Sequence, residues 1–209
     1  MTAGRFVVFE GVDGVGKTTL RRLLHDRIVA HGHRCFIVGQ HSWLEVSAAR
    51  ILIDSREHRR VPNPTILRNA SIQDKVIHSR ENITPMLHLG WVIADRYIWS
   101  DAAYHEALYG IRAEDTLETY HSNNVAVPDL TLYITADVND ADMRIRGRSK
   151  QPRHYERPAI LEQVQAVYER IRKQWIGRVL EYRNEQPLDP VRFDVSVGRV
   201  VVGSTSIFN

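Results

Sequence analysis

Apolar residues along the chain form short runs that alternate with helical stripes, a pattern typical of an α/β protein. The run at residues 6–9 is continuous, as expected of a strand buried on both faces. Similar runs predict strands at 34–38, 90–94 and 128–134. Because strands and helices alternate along the chain, we predict a doubly wound parallel sheet with helices on both faces.

The stretches between these runs carry apolar residues at the three- and four-residue spacing of amphipathic helices. They predict helices from residue 17 to Gly32, within 44–60, over 65–89 with a kink or a new turn at Pro85, over 137–146, and over 158–183. The last residues, 189–195 and 199–202, are rich in Val and predict a final strand or hairpin with no helix after it. Together these elements fit a single domain over residues 1–209.

The loop after the first strand carries the pattern G-x-x-x-x-G-K-[ST] at Gly11, Gly16, Lys17 and Thr18. Backbone N–H groups of such a loop converge on phosphate oxygens, and its glycines let the backbone approach the anion closely. We expect the Lys17 ammonium to lie near the β- and γ-phosphates and the Thr18 hydroxyl to bind Mg²⁺. The preceding strand and the following helix are the context that this phosphate-binding loop requires.

Two charged residues follow the apolar run at 90–94, at the edge of the sheet where ligands bind in doubly wound folds. Asp95 is predicted to hold Mg²⁺ through water and to orient the phosphates. Arg96 presents a planar guanidinium that suits a phosphoryl group. The alternative is a surface ion pair beyond a core strand. The loop at 39–43 lies at the same edge, so Gln40, His41 and Trp43 are candidate substrate contacts.

A basic segment follows the predicted helix at 137–146. It is free of acidic residues and contains Arg144, Arg146, Arg148, Lys150 and Arg153. Gly147, Ser149 and Pro152 give it the character of a loop. Three interpretations stay open: a solvated face, a nucleic-acid contact, or a lid over about residues 144–157 that closes on a polyphosphate. The phosphate-binding loop favours the lid.

Composition adds a few constraints. The chain has 209 residues with 43% apolar and 25% charged residues, as in ordinary globular proteins. The net charge of +3 suits anionic ligands without predicting a nucleic-acid partner. A single cysteine, Cys35, excludes an intramolecular disulfide. The chain shows neither a secretory signal pattern nor a long apolar run, so we expect a cytoplasmic protein without a membrane partner.

Together these motifs resemble those of the thymidylate kinase family of P-loop nucleoside monophosphate kinases. The resemblance covers about residues 5–180 and rests on FEGVDGVGKTT at 9–19, DRY at 95–97 with Ser100 and AY at 103–104, PDLTLY at 128–133, and the start of the basic segment at 144–148. It implies a five-stranded parallel sheet, ATP with Mg²⁺ as phosphoryl donor, and a nucleoside monophosphate as acceptor.

The resemblance also implies roles for individual residues. Asp13, Gly14, Thr19 and Arg144 are assigned to the nucleotide together with the phosphate-binding loop. Asp13 would also meet the 3′-hydroxyl of the acceptor sugar, Arg96 the acceptor phosphate, and Tyr104 the sugar face that excludes a 2′-hydroxyl. Some family members place an arginine directly after this Asp, where this chain has Gly14 and Val15. Such a chain places its catalytic arginine in the lid, and the sequence leaves Arg148 and Arg153 open for that role.

The acceptor pocket departs from the family pattern. Ser71 and Lys75 stand where the family has Phe-x-x-x-Arg, His105 replaces a Gln, and residues 40–43 replace Arg-Glu-Pro-Gly-Gly. With Gln40, these residues are the candidate contacts to the acceptor. We therefore predict a modified or non-thymine pyrimidine deoxynucleotide as acceptor. If the alignment slips at Ser71 and His105, dTMP is the acceptor.

The same residues bear on other classes of function. A kinase that phosphorylates a hydroxyl is the main alternative, with Glu10 or Asp13 as general base. A GTPase is disfavoured because N-K-x-D is absent from the sequence and D-x-x-G occurs only inside the phosphate-binding loop. A non-catalytic nucleic-acid module would use the basic segment. The sequence leaves the choice between monomer and homodimer open.

Overall fold

The central sheet of this computed structural model contains five parallel strands. These are β1 (Phe6–Glu10), β2 (Cys35–Val38), β3 (Trp91–Asp95), β4 (Leu130–Thr135) and β5 (Val179–Arg183). Their spatial order is β2-β3-β1-β4-β5, so the chain runs from β1 out to the edge strand β2 and then reverses direction, through β3 and past β1 to β4 and β5. The structure describes residues 4–149, 151–185 and 187–203. The predicted α/β class, the parallel sheet and four of its five strands are confirmed.

Helices cover both faces of the sheet. In the described ranges they are α1 (Lys17–Ala30), α2 (Val46–Arg56), α3 (Pro64–Ile77), α4 (Thr84–Leu87), α5 (Ile98–Tyr109), α6 (Ala113–Ser122), α7 (Val138–Arg146), α8 (Pro158–Gln174), α9 (Pro190–Phe193) and α10 (Arg199–Gly203). Within these ranges no helix combines the length and the apolar character needed to cross a membrane.

The helix predicted over 65–89 is interrupted as its proline indicates. Asn63 caps the start of α3 by accepting the backbone N–H of Thr65. A π-helical turn spans His78–Ile83, and α4 begins at Thr84 with Pro85 in its first turn, where a proline has no backbone N–H to lose.

The helix predicted over 158–183 is wrong in its second half. Its apolar stripe continues only to Ile171, and α8 ends at Gln174. Trp175 then adopts an extended backbone and packs edge-to-face on Trp99, with ring centroids 5.5 Å apart. The chain turns and forms β5 beside β4. Five residues are too short a stretch for their alternation to outweigh the helical pattern before them.

The predicted C-terminal strand or hairpin is also wrong. Residues 190–203 form α9, a π-helical turn and α10. Their apolar side chains reach the core: Phe193, Val197 and Val201 are buried, and Phe193 packs edge-to-face on Tyr182 with centroids 5.1 Å apart. The segment packs against α1. Tertiary packing therefore overrides the strand preference of its valines.

The carboxyl ends of the strands position the loops of the site. The end of β5 has a direct role, because Asn184 follows it and its side-chain amide donates to the backbone oxygen of Val15 at 2.7 Å. The backbone N–H of Asn184 donates to the oxygen of Thr135 at 2.8 Å. A side chain at Gly16 would approach the Asn184 amide to 2.4 Å. The edge strand that the sequence pattern did not reveal therefore supports the phosphate-binding loop.

We predict that Asn184→Asp lowers the free energy of unfolding by about 1–3 kcal/mol, because it replaces a buried donor with a carboxylate oxygen facing a carbonyl. Urea denaturation measures the change. Asn139→Asp is the matched control, because Asn139 is exposed, and it should alter stability by less than about 0.5 kcal/mol. Equal stability of Asn184→Asp and the parent protein would contradict the support we assign to this amide.

Candidate active site

The phosphate-binding loop curls around the start of α1. Gly11 and Gly16 have φ values of 135° and 89°, which side chains rarely adopt, and a Cβ at Gly11 would lie 2.2 Å from the oxygen of Ile134. Among the described residues no side chain caps α1, and the N–H of Thr19 donates to the oxygen of Gly16 at 3.1 Å. The N–H groups of Lys17 and Thr18 are therefore available to an anion at the positive end of the helix dipole.

Lys17 bridges the loop from inside. Its Nζ donates to the backbone oxygens of Gly11 at 2.9 Å and Val12 at 2.6 Å. Burial, together with the nearby positive charge of Arg96, lowers the pKa of Lys17 to about 7. An anion placed beside this amine would therefore stabilise its charged form.

Asp95 lies beside Thr18, as the predicted metal site requires. Its Oδ2 accepts from the Thr18 hydroxyl at 3.4 Å and from the Arg21 guanidinium at 2.7 Å. A hydroxyl and a carboxylate oxygen are the hard ligands that Mg²⁺ prefers. Sequence reasoning missed Arg21, although its place one turn after Lys17 on α1 puts it on the same side of the helix.

Arg96 ties the loop to the end of β3. It has a left-handed backbone with φ of 71°, its guanidinium donates to the oxygen of Gly11 at 2.9 Å, and it pairs with Asp13 at 2.8 Å. The Tyr104 hydroxyl donates to the other oxygen of Asp13 at 2.6 Å. Burial opposes ionisation of Asp13, but Arg96 and Lys17 outweigh it and hold the pKa of Asp13 below its usual value.

Glu10 is buried at the end of β1 and fastens the first turn of α5. Its carboxylate accepts the backbone N–H groups of Tyr97 at 3.0 Å, Trp99 at 3.1 Å and Ser100 at 3.3 Å. The hydroxyls of Ser100 and Tyr168 donate to its second oxygen. Burial raises the pKa of Glu10. With both oxygens engaged by the fold, this carboxylate is a structural cap.

Gln40 and Asp101 meet at the far end of the site from the phosphate-binding loop. The Gln40 amide donates to Asp101 Oδ1 at 2.6 Å. Asp101 Oδ2 accepts from the Tyr120 hydroxyl at 2.7 Å and from the Lys75 ammonium at 2.9 Å. Lys75 is fully buried. Its ammonium also lies 3.6 Å from Asp74 Oδ2, so its charge is shared by two buried carboxylates.

Ser71 and His105 form a second polar pair. The Ser71 hydroxyl donates to the oxygen of Leu67 at 3.0 Å, and His105 Nε2 lies 3.3 Å from the same hydroxyl oxygen. Burial lowers the pKa of His105 to about 4, so its imidazole is neutral near pH 7.

Asp74 fixes the loop that follows β2. Its buried carboxylate accepts the backbone N–H groups of Ser42 at 3.0 Å and Trp43 at 3.2 Å, and it contacts His41 Nδ1 at 3.0 Å. Trp43 has φ of 57° and stacks on His41, with ring centroids 4.7 Å apart. Sequence reasoning missed this role because the contacts join residues more than thirty positions apart.

The basic segment folds back over the site. Glu156, which is buried, pairs with the Arg148 guanidinium at 2.8 Å and accepts the backbone N–H of Arg153 at 2.7 Å. The Tyr155 ring packs edge-to-face on Tyr104, with centroids 5.5 Å apart. Arg144 donates to the oxygen of Gly14 at 3.2 Å. Lys150 lies outside the described residues.

One cavity of about 690 Å³ joins these parts. Most of the residues predicted from the sequence line it: Asp13, Gly14, Gly16, Lys17, Thr18, Thr19, Gln40, Asp95, Arg96, Tyr104, His105, Arg144, Arg148 and Arg153. Gly11, Ser71 and Lys75 are not among its lining residues and act on it through their neighbours.

Comparison with known proteins agrees with this geometry. The family model for thymidylate kinase matches residues 9–192. A probable thymidylate kinase from Staphylothermus marinus is 32% identical over 79% of this chain and 80% of that protein. The thymidylate kinase of Leptospira borgpetersenii is 30% identical with the same coverage. That of Halalkalibacterium halodurans is 29% identical over 93% of this chain and 95% of its own length.

The family match covers the phosphate-binding loop, the Asp95–Arg96 edge and the basic segment, which are the parts that the structure brings together. The chain therefore belongs to the thymidylate kinase family and is an ATP-dependent nucleotide kinase.

Proposed function

We propose that this kinase transfers the γ-phosphoryl group of ATP to the 5′-phosphate of a deoxypyrimidine nucleoside monophosphate other than dTMP. The observation that supports this most is the single cavity. It joins the phosphate-binding loop to the Arg96–Asp13–Tyr104 cluster and then to the polar wall of Gln40 and His105. Two anions brought end to end in such a cavity are the geometry that phosphoryl transfer requires.

The donor end is formed by the start of α1. The uncapped N–H groups of the loop would hold the β- and γ-phosphates, and Lys17 would move from its carbonyl partners to their oxygens. Thr18 and Asp95 would hold Mg²⁺, which supplies positive charge to the triphosphate. The lid arginines would add charge where it develops in the transition state.

The contacts of Glu10 and Asp13, the two candidate general bases, favour a phosphate acceptor over a hydroxyl. A phosphate oxygen is already ionised near neutral pH, whereas a hydroxyl needs a base to remove its proton. Glu10 has both oxygens engaged by α5 and Tyr168. Asp13 is paired with Arg96, and its lowered pKa makes it a weak base. Arg96, whose planar guanidinium suits a phosphoryl group, would attract an anionic acceptor through its positive charge.

The sugar and base of the acceptor would lie beyond Arg96. Tyr104 would pack against the deoxyribose, and Tyr155 brings the lid onto the outer face of the Tyr104 ring. At the base end, the Lys75 charge is buried and paired with Asp101. The resemblance leads us to expect an arginine that reads the base, whereas the residue at that position is Lys75, whose ammonium is used by Asp101. This supports an acceptor base other than thymine.

We predict that the protein releases ADP with deoxypyrimidine monophosphates and releases none with the corresponding nucleosides. A coupled assay with dCMP, dUMP, dTMP and their nucleosides measures this. The kcat/KM for dTMP should be at least about tenfold below that of the best acceptor, because one lost base contact costs roughly 1–3 kcal/mol. Phosphorylation of a nucleoside would contradict the phosphate acceptor, and a preference for dTMP would contradict the altered pocket.

Binding of the triphosphate should take up protons. Since the pKa of Lys17 in the free protein is about 7, most of its amine is neutral at pH 8, and the bound phosphates would restore its charge. Calorimetry with Mg²⁺ and a non-hydrolysable ATP analogue, in two buffers of different ionisation enthalpy, should show an uptake approaching one proton.

The control for this uptake is Lys17→Met, which should abolish both the uptake and phosphoryl transfer. An uptake that persists in Lys17→Met, or that is absent from the parent protein, would show that Lys17 does not engage the phosphates.

The lid arginines should act on the rate rather than on ATP affinity. We predict that Arg148→Ala lowers kcat by about 10²–10³-fold and changes the Kd of the ATP analogue by less than about threefold, since the guanidinium acts on transition-state charge. Arg153→Ala, measured alongside, shows which arginine dominates. Arg146→Ala is the control, because Arg146 pairs with Asp142 outside the cavity. Unchanged kcat in both Arg148→Ala and Arg153→Ala would contradict a catalytic lid.

A further inference from the structure

The base end of the cavity carries an ionised carboxylate with an unused lone pair. Burial opposes ionisation of Asp101, but the Lys75 ammonium outweighs it and holds the pKa of Asp101 below its usual value. Asp101 Oδ2 already accepts from Lys75 and Tyr120, whereas the Gln40 amide is the hydrogen-bond donor to Oδ1. A carboxylate oxygen accepts about two hydrogen bonds, so Oδ1 has room for one more donor. Asp101 lines the cavity.

The same carboxylate fixes the Gln40 amide. Because an ionised carboxylate only accepts, the group that faces Asp101 must be the Gln40 NH₂, and this assignment follows from the hydrogen-bond network. The Gln40 Oε1 is therefore turned away from Asp101 as a second acceptor, and one N–H of the amide stays available beside it. Gln40 also lines the cavity.

His105 contributes no donor to this end of the cavity. The Ser71 hydroxyl has one hydrogen, and it is committed to the oxygen of Leu67. The 3.3 Å contact with Ser71 is therefore a bond donated by Nε2–H of His105. In a neutral imidazole the other nitrogen then carries a lone pair, and Nδ1 is buried without a hydrogen-bond partner among the described residues.

The other polar groups on this part of the wall are partly engaged, because Ser55 and Tyr109 share one of their two hydroxyl hydrogens and Arg56 uses its Nε–H for Glu57. The hydroxyls of Ser55 and Tyr109 bond to each other at 2.6 Å. The Arg56 guanidinium pairs with Glu57 at 3.1 Å and lies over the Trp43 ring, 5.8 Å from its centroid. The pair of Asp101 and Gln40 offers two acceptor atoms, Asp101 Oδ1 and Gln40 Oε1, for one free N–H of Gln40, whereas Nδ1 of His105 is buried.

From this imbalance we infer that the acceptor base carries an exocyclic amino group, which places it in the 4-aminopyrimidine (cytosine) class. The inference rests on the proposed function. An amino group at C4 supplies two donors to the acceptors of this pair, and the ring N3 accepts the free N–H of Gln40. Thymine and uracil put a carbonyl oxygen at C4, and in the same orientation its lone pairs face the Asp101 carboxylate. Such an unpaired contact strongly disfavours the wrong base.

Pairs of nucleotides that differ at C4 and N3 alone test the contribution of the amino group. The monophosphates of deoxycytidine and deoxyuridine differ at C4 and N3 alone, and so do those of 5-methyldeoxycytidine and thymidine. Calorimetry without ATP, on the full chain, should show at least about tenfold tighter binding of the amino member of each pair. The pyrimidin-2-one deoxynucleotide, which lacks any group at C4, should bind at least about tenfold more weakly than dCMP.

A substitution at His105 provides a second readout. His105→Gln introduces an amide N–H at the base end of the cavity, so it should bring the dCMP-to-dUMP affinity ratio at least about fivefold closer to one. His105→Leu introduces no donor and should keep the preference for dCMP. If His105→Leu and His105→Gln change the ratio equally, the donor imbalance is not what sets the preference.

The outcomes separate the two proposals. Equal or tighter binding of the carbonyl member of each pair, with ADP release intact, overturns the amino-group inference and leaves the nucleoside monophosphate kinase standing. Absence of both binding and ADP release with every pyrimidine monophosphate overturns the inference together with the proposed function. Preference for both amino members, lost in the pyrimidin-2-one nucleotide, supports it.

Discussion

Two charged side chains at the carboxyl edge of the sheet, the buried Glu10 and the partly buried Arg96, connect the phosphate-binding loop to the first turn of α5. Glu10, at the end of β1, accepts three backbone N–H groups from residues 97–100. Arg96, just before α5, donates to the oxygen of Gly11 in the loop. Each element is therefore held by a charge that the other supplies. Removing Arg96 would leave Asp13 without its ion-pair partner, and removing Glu10 would leave buried N–H groups without an acceptor, and both are costly in a low-dielectric interior.

The contacts of Glu10 and Arg96 fix the relative positions of the elements that line the cavity. The same α5 helix that Glu10 caps carries Asp101 and, one turn later, Tyr104 and His105, so the proposed sugar and base contacts are held at a fixed distance from the phosphate-binding loop. Asn184 fixes the loop from the side of β5, and Asp74 fixes the loop after β2. Preorganised donors and charges of this kind act without reorganisation during the reaction. The basic segment, held by Glu156 and Tyr155, covers the remaining side.

The sequence predicted the parts of this arrangement that depend on residues close together in the chain. The strands β1, β3 and β4 are continuous apolar runs, and the phosphate-binding loop is a contiguous motif. The strand β5 and the C-terminal helices were missed because their secondary structure depends on packing against β4 and α1, which lie far away in the chain. Asn184, Arg21 and Asp101 were missed for a similar reason, since their partners lie 169, 74 and 61 positions away. Ser71 and Lys75 were located on the right helix, but their burial behind the cavity depends on the tertiary structure.

The central claim is that one rigid cavity holds a triphosphate on the loop side and a monophosphate beside Arg96 at the same time. Its most direct test is the affinity of a single molecule in which a pentaphosphate chain joins adenosine to deoxycytidine. If both halves engage together, the second half binds at a high effective concentration, and the Kd falls at least about a hundredfold below that of ATP or dCMP alone. A Kd no lower than that of ATP would show that the two anion sites are not joined as described.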